Sequence, residues 1–123
     1  MSIDSAHVKA LEDVLPGWKA AVDAHRPAEV GALFTQDAIF QGLHLYGVGP
    51  EAVADYYASQ PPGMVADYEI VETRRLADDL ILGYLRVAFT FTDREPVNVY
   101  LSMLLKQVGG GWKIGHYQVT RLG

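Results

Sequence analysis

Apolar residues fall at Val8, Leu11, Leu15, Trp18 and Val22, the three-and-four spacing of one helical face, behind Asp4 and Ser5, either of which can cap a helix start. Pro16-Gly17 interrupts the stretch, and proline removes a helix hydrogen bond. The apolar stripe keeps its phase across the proline, which predicts one kinked helix rather than two. His25-Arg26 ends it, and Pro27 suits the first position of a second short helix running to about Phe34. After the polar break Thr35-Gln36-Asp37, Ala38 to Leu43 reads as a first strand. Gly47-Val48-Gly49-Pro50 is a turn, and Pro50 opens a third helix that runs through Ser59 and stops at Pro61-Pro62-Gly63.

Beyond this point helical spacing gives way to β-branched and aromatic runs. Met64–Ala77, Leu80–Thr92, Pro96–Val108 and Gly111–Arg121 read as strands, separated by Asp78-Asp79, Asp93-Arg94 and Gly109-Gly110. Breaks this short imply antiparallel hairpins, and strands this long in a small domain must twist or curl. The expected architecture is therefore α+β, with three N-terminal helices packed on a curved antiparallel sheet. Two-residue turns set a register that places Thr73, Tyr84, Met103 and His116 in one row, and Val71, Arg86, Leu101 and Gln118 in the next, all on one face. The other face takes Leu85, Val87, Phe89, Asn98, Tyr100, Ser102, Leu104 and Tyr117. Both faces are largely apolar, whereas a monomer's antiparallel sheet commonly alternates apolar-in with polar-out. Three short helices cover one face only, so a symmetric homodimer through the sheet is expected. The alternative is a pair of strands curled tightly enough to bury both faces.

Composition narrows the function. With 123 residues, half of them hydrophobic, the chain reads as one domain over 1–123 with a real core. A net charge of −5 argues against nucleic acid and against an anionic membrane surface as partners. There is no cysteine, hence no disulfide, thiolate nucleophile or cysteine-based metal site. No apolar stretch approaches the ~20 residues of a membrane span, and Met1 to Val8 lacks the basic start and apolar run of a signal peptide. A cytoplasmic protein is the expectation. His7, His25, His44 and His116 are scattered without metal-ligand spacing, and Gly109-Gly110-Gly111 joins two strands, unlike a phosphate loop. Neither a metal nor a cofactor is expected.

The runs Trp18–Ala24, Glu29–Phe34 and Asp37-Ala38-Ile39-Phe40 resemble the start of NTF2-like proteins, in which a long helix, a short helix and a strand follow in this order. Gly47–Val53 is similar to the family's glycine turn into the third helix, and Gly111–His116 to the closing strand of SnoaL-like members. The resemblance spans nearly the whole chain. It implies a cone with a deep pocket, usually in a homodimer, in a superfamily that includes ketosteroid isomerases, polyketide cyclases, dehydratases and epoxide hydrolases. Such a fold does not dictate function. The isomerase chemistry needs a carboxylate base at the end of the first strand, with a tyrosine and a protonated aspartate as oxyanion donors. Ungapped counting from Asp37-Ala38 puts the base position on Gly42 and the tyrosine position on Trp18, and counting back from Gly111 puts the acid on Met103. All three proton-handling groups are absent. Of the Asp-Arg-Asp set of the epoxide hydrolases, only Arg86 stands on the expected pocket wall.

Three residues carry candidate chemistry on that wall. His116 is the candidate acid–base group, since histidine ordinarily titrates near neutrality; the alternative is a neutral histidine held by Tyr84 or Thr73. Arg86 would be a guanidinium on a cavity face, holding a carboxylate or enolate oxygen of a ligand, or paired internally with Glu69. Tyr84 would donate beside it. Trp18, Phe40 and Met103 read as apolar lining, Tyr56 as a donor, and Gln118 as a ligand-orienting or sheet-bonding amide. His44 falls either at the pocket mouth or in a surface loop. Two functions are expected on these grounds. One is a cofactor-free isomerase, dehydratase or cyclase acting on a hydrophobic carbonyl compound. The other is a non-catalytic protein that binds a small hydrophobic molecule. A third reading, an interaction module with a filled interior, ranks behind them.

Overall fold

The computed structural model describes residues 5–43 and 46–122. The first helix, α1 (Ser5–Asp23), is continuous with Pro16 inside it; Asp4, one of the two expected caps, lies outside the described residues. The second helix, α2 (Pro27–Gly31), opens on its proline. The strand β1 (Phe34–Gln41) begins well before the expected Ala38, because Ile114 N donates to Leu33 O at 2.8 Å and Phe34 already pairs with Ile114. The register shifts between Phe34 and Ile39, so the polar triplet Thr35-Gln36-Asp37 is a bulge inside the strand rather than a break before it. Then come β2 (Tyr46–Val48), which the sequence reading lacks, and α3 (Gly49–Ala58). Gly31 lets α3 sit on α2, since a Cβ there would lie 2.5 Å from the Pro50 carbonyl oxygen.

Four long strands follow: β3 (Val65–Ala77), β4 (Leu80–Thr90), β5 (Val97–Val108) and β6 (Gly111–Arg121). They form one six-stranded sheet in the order β2-β1-β6-β5-β4-β3, in which β1 runs parallel to β6 and the other neighbours are antiparallel. Helix α1 lies on the inner face of this sheet, with the Leu11 side chain filling the space above Gly83, where a Cβ would approach it to 2.6 Å. Leu11, Leu15 and Trp18 from α1 meet Phe34, Phe40, Leu85, Leu101, Met103, Leu105, Ile114 and Tyr117 in a fully buried core. Lys19 ties the helix to the β3 edge: its ammonium donates to Ala66 O at 2.7 Å and reaches Asp23 and Asp67 at 2.9 and 3.0 Å. Burial works to lower the Lys19 pKa, but the bonds to the two carboxylates outweigh it and the net shift is upward.

Four details of the ladder redistribute the side chains. The loop between β4 and β5 is longer than the expected two-residue turn at Asp93-Arg94, and the register is offset by one: Gly83 opposes Met103, Tyr84 opposes Ser102 and Arg86 opposes Tyr100. The Gly109-Gly110 turn is as expected, with both glycines at positive φ (57° and 85°) and Val108 opposite Gly111. The ladder then shifts between Leu104 and Leu105, with Gly115 as the extra residue. Beyond this bulge Leu104 opposes His116 and Met103 opposes Tyr117. A further shift in β3, at Leu76, sets Thr73 opposite Gly83 rather than Tyr84, and a second at Val71 sets Ile70 opposite Leu85. A one-residue offset moves a strand's side chains to the other face. The inner row is therefore Phe40, Tyr117, Met103, Gly83 and Thr73, while His116, Arg86, Tyr84 and Gln118 stand on the outer face.

Candidate functional site

The inner face and α3 enclose a cavity at one end of the sheet. It is lined by Gly42 and Leu43 just after β1, the last turn of α3 (Tyr56, Tyr57) and Gln60 beyond it, Met64, the end of β4 and its loop (Phe89, Phe91), Val97, and Tyr117 and Val119 of β6. Its volume is about 20 Å³, close to the space that one water requires. The interior is otherwise occupied by aromatic rings. Phe40 stacks on Tyr117 at 4.6 Å between centroids, and Trp18 meets Tyr117, Phe89 and Tyr68 at 6.3–6.4 Å. Gly42 is glycine for a steric reason, since a Cβ would stand 2.8 Å from the Tyr56 ring.

The polar content of this end is phenolic. Tyr57 and Tyr117 are both buried, with their hydroxyls 3.1 Å apart. Tyr57 comes from the helical face that also buries Val53, and Tyr117 is turned inward by the bulge at Gly115. Trp18 Nε1 is fully buried and has no partner in standard hydrogen-bond geometry; it faces the Tyr57 hydroxyl, whose ionised form it favours. Burial pushes the Tyr57 pKa up against the opposing bonds from Tyr117 and Trp18. Burial, and then the neighbouring Tyr57, holds Tyr117 well above the ordinary phenol range. Tyr56, half-buried at the mouth, is raised by burial, with a backbone hydrogen bond at Leu43 opposing the rise. No Lys, Arg, Asp, Glu or His lines the cavity among the described residues.

The raised phenols make a prediction for alkaline solution. Unfolded tyrosines ionise near pH 10, while Tyr57 and Tyr117 hold their protons to higher pH in the fold. Their contribution is complete below pH 10 and is lost as pH rises above it, by about 1.4 kcal/mol per pH unit per phenol. Melting temperatures taken from pH 9 to 12 should fall steeply, and the double variant Tyr57→Phe/Tyr117→Phe should show a shallower fall. An equal slope in the two proteins would contradict this assignment.

Of the residues singled out from sequence, Tyr56 lines the cavity. Trp18, Phe40 and Met103 pack beneath it as core. His116, Arg86, Tyr84 and Gln118 are separated from it by the sheet. On the outer face Tyr84 stacks on Tyr100 at 5.2 Å, and the Arg86 guanidinium lies 5.9 Å over the same ring, with Glu69 directly opposite Arg86 in the ladder. His44 lies outside the described residues. The sequence reading missed Tyr57, Gln60, Met64, Phe89 and Tyr117. Two signals pointed to the tyrosines: Tyr57 follows Val53 at helical spacing, and an isolated glycine inside a strand, Gly115, marks a bulge. Among the described residues no three His, Asp or Glu side chains gather as a metal site, and no helix is long and apolar enough to cross a membrane.

No protein-family model and no curated protein matches the sequence. Solved structures do match in shape. A ketosteroid isomerase-like protein from Erwinia carotovora atroseptica superposes with a TM-score of 0.81 at 20% identity, over 98% of this chain and 99% of that one. An NTF-2-like protein of unknown function from Shewanella oneidensis gives 0.78 at 14% identity, over 91% and 97%. A domain of unknown function with a cystatin-like fold from Nostoc punctiforme gives 0.83 at 16% identity, over 98% and 80%. Identities this low speak to shape alone, and with the helices, the curved six-stranded sheet and the cavity at its end they establish that this chain has the α+β cone fold of the NTF2-like superfamily.

Proposed function

We propose that the chain is a small-molecule-binding domain whose ligand, an uncharged apolar molecule, enters the cavity end of the cone and is held there without acid–base catalysis. The observation that carries this reading is the chemistry of the lining: buried phenols with raised pKa values, an amide and apolar side chains, with no charged side chain among the described residues. Phenols that stay protonated through the neutral range donate hydrogen bonds but do not take up a proton, which a general base must do. The place where the resemblance would put a carboxylate is Gly42, and the Tyr56 ring fills that space. A carbonyl-converting enzyme built on His116, Arg86 and Tyr84 would need those groups at the ligand, and they occupy the opposite face of the sheet. The ligand gains room at the mouth, where Met64 and the half-buried Gln60 and Phe91 border the cavity; methionine and glutamine re-pack readily.

The test is binding of the bicyclic hydrocarbon indane, followed by ligand-detected NMR, to the native chain and to Met64→Trp, which plugs the mouth. Saturable binding below about 1 mM that disappears in a folded Met64→Trp is expected, with the ligand recovered unchanged. Undiminished binding to the plugged variant would place the ligand elsewhere and overturn the reading.

The outer face supports a second copy of the chain as partner. Across five strands it presents Val48, Ile39, His116, Leu104 and Leu82 as one row, with Val48 55% and Ile39 47% exposed. A contiguous apolar band on an open sheet face is unusual for a monomer. The row meets a charged side chain at its far end, Arg74 on β3, so a two-fold arrangement centred on β1, β6 and β5 lays uncharged side chains on one another. The net charge of −5 continues to disfavour nucleic acid and anionic membranes as partners, and a cytoplasmic location fits that surface.

A further inference from the structure

Lys9, Lys19, Arg26, Arg74, Arg75 and Arg94 each lie beside a carboxylate. Lys106 and Lys113 do not. They stand directly opposite each other in the β5–β6 ladder, a position in which like charges repel. Among the described residues neither forms an ion pair, although the chain carries 15 acidic residues to 10 basic ones. Lys113 donates one ammonium hydrogen to Ala32 O at 3.1 Å, and Lys106 makes no hydrogen bond among the described residues. The pair borders a concavity of about 230 Å³ whose other walls are Phe34, Thr35, Gln36 and Val108. The hollow lies where β1 departs from the ladder: its register advances from Phe34 to Ile39 while β6 advances only from Ile114 to His116. Glycine at the β6 bulge keeps it open, since a Cβ on Gly115 would stand between two of its walls, 3.9 Å from Thr35 Oγ1 and 4.0 Å from Lys106 Cβ. The carboxylate of the β1 bulge, Asp37, is engaged along its own strand, where it accepts from Thr35 at 2.9 Å.

We infer that this hollow binds the dianionic head of a small phosphate monoester, with the Lys106 and Lys113 ammoniums on its oxygens and the Gln36 amide beside them. A dianion cancels both uncompensated charges, whereas a monocarboxylate leaves one of them unopposed. Lysine ammoniums are compact charges on flexible stems, which suits the tetrahedral spread of phosphate oxygens. The volume is roughly that of seven waters in the liquid, more than a bare phosphate needs, and Val108, 45% exposed, offers an apolar wall for a small organic body. The net charge of −5 repels anions at long range, but charges are screened beyond about 8 Å at physiological salt, so the local pair decides. The site is separate from the tyrosine-lined cavity and requires no ligand there. It stands beside the apolar row of the outer face, next to Leu104 and His116.

The experiment titrates phenyl phosphate and benzoate into the chain at matched ionic strength, followed by amide NMR shifts and by melting temperature. Phenyl phosphate is expected to bind with a dissociation constant below about 5 mM, at least about tenfold tighter than benzoate, with shifts centred on Thr35, Gln36, Lys106 and Lys113. At about 50 mM it should raise the melting temperature by at least about 3 °C. Lys106→Gln/Lys113→Gln should lose at least about tenfold in affinity, together with that rise. Lys9→Gln/Arg94→Gln removes the same charge from other exposed sites and should bind as the native chain does. Lys106→Gln alone breaks no hydrogen bond and keeps the test open if the double variant does not fold; it should weaken binding at least about threefold and, in chloride, melt no lower than the native chain. Equal losses in the two double variants would reduce the effect to general charge attraction and overturn the site. Benzoate binding as tightly as phenyl phosphate would overturn the dianion class. A rise in melting temperature that shrinks on tenfold dilution of the protein would assign the lysines to a contact between copies and overturn a site within one chain. Absence of any shift at these residues would overturn the inference outright.

Discussion

Replacing Trp18 by alanine should destabilise the chain by about 3–5 kcal/mol, the range for deleting a buried aromatic side chain. Trp18 has no exposed surface and touches Tyr68, Phe89 and Tyr117, so it joins α1 to β3, β4 and β6 at once. No single neighbour can collapse into the space it leaves. A domain of this size has a total stability on the order of 5–15 kcal/mol, so the variant should be partly or wholly unfolded at 37 °C. Trp18→Phe makes a sharper comparison. It keeps an aromatic body in the same place and deletes an indole N–H that has no well-formed hydrogen bond, which returns part of the lost packing energy. We expect its cost to be less than half that of Trp18→Ala, measured by urea unfolding monitored by circular dichroism. If the two variants were equally damaging, the indole N–H would have a structural role that the unpaired geometry denies.

The second large effect concerns the outer face. In the proposed dimer, Leu104→Asp would put two carboxylates, one from each copy, near the middle of an apolar contact, opposite His116 and two strands away from Arg74, the cation of their row. An unpaired buried charge costs several kcal/mol, so the dissociation constant should rise by at least about 10³. Light scattering behind size exclusion at tens of micromolar is expected to show a dimer for the native chain and a monomer for the variant. Helix and strand content should be unchanged, because Leu104 is only partly buried within one copy. A native chain that runs as a monomer, or a variant that stays dimeric, would refute this use of the face.

Element identity was legible because it depends on local pattern. The apolar stripe of α1, the prolines that open α2 and α3, and the β-branched runs of β3 to β6 recur within a few residues, and the structure's bounds for the long strands differ from the expected ones by two residues or fewer. Their order led to the α+β cone. Which side chains face the interior was decided elsewhere. Alternation along β4 was read correctly, with Leu85 and Val87 opposite in sense to Tyr84 and Arg86. The relation of β4 to β5 depended on the loop after Thr90, which is longer than the two residues Asp93-Arg94, and the relation of β5 to β6 on the bulge at Gly115. Each slip of one residue exchanges the two faces, so His116 went outward and Tyr117 inward.

The amino-acid sequence by itself determined the helices, the long strands and the absence of thiol chemistry, because each follows from composition or from spacing within one element. The tertiary structure alone decided the site. The Tyr57–Tyr117 pair joins residues 60 positions apart, Trp18 reaches it from the first helix, and the parallel seating of β1 on β6 brings Phe40 onto Tyr117. Contacts of that separation are set by register and bulges, which balance pairing across the whole sheet, and no local run of residues contains that balance.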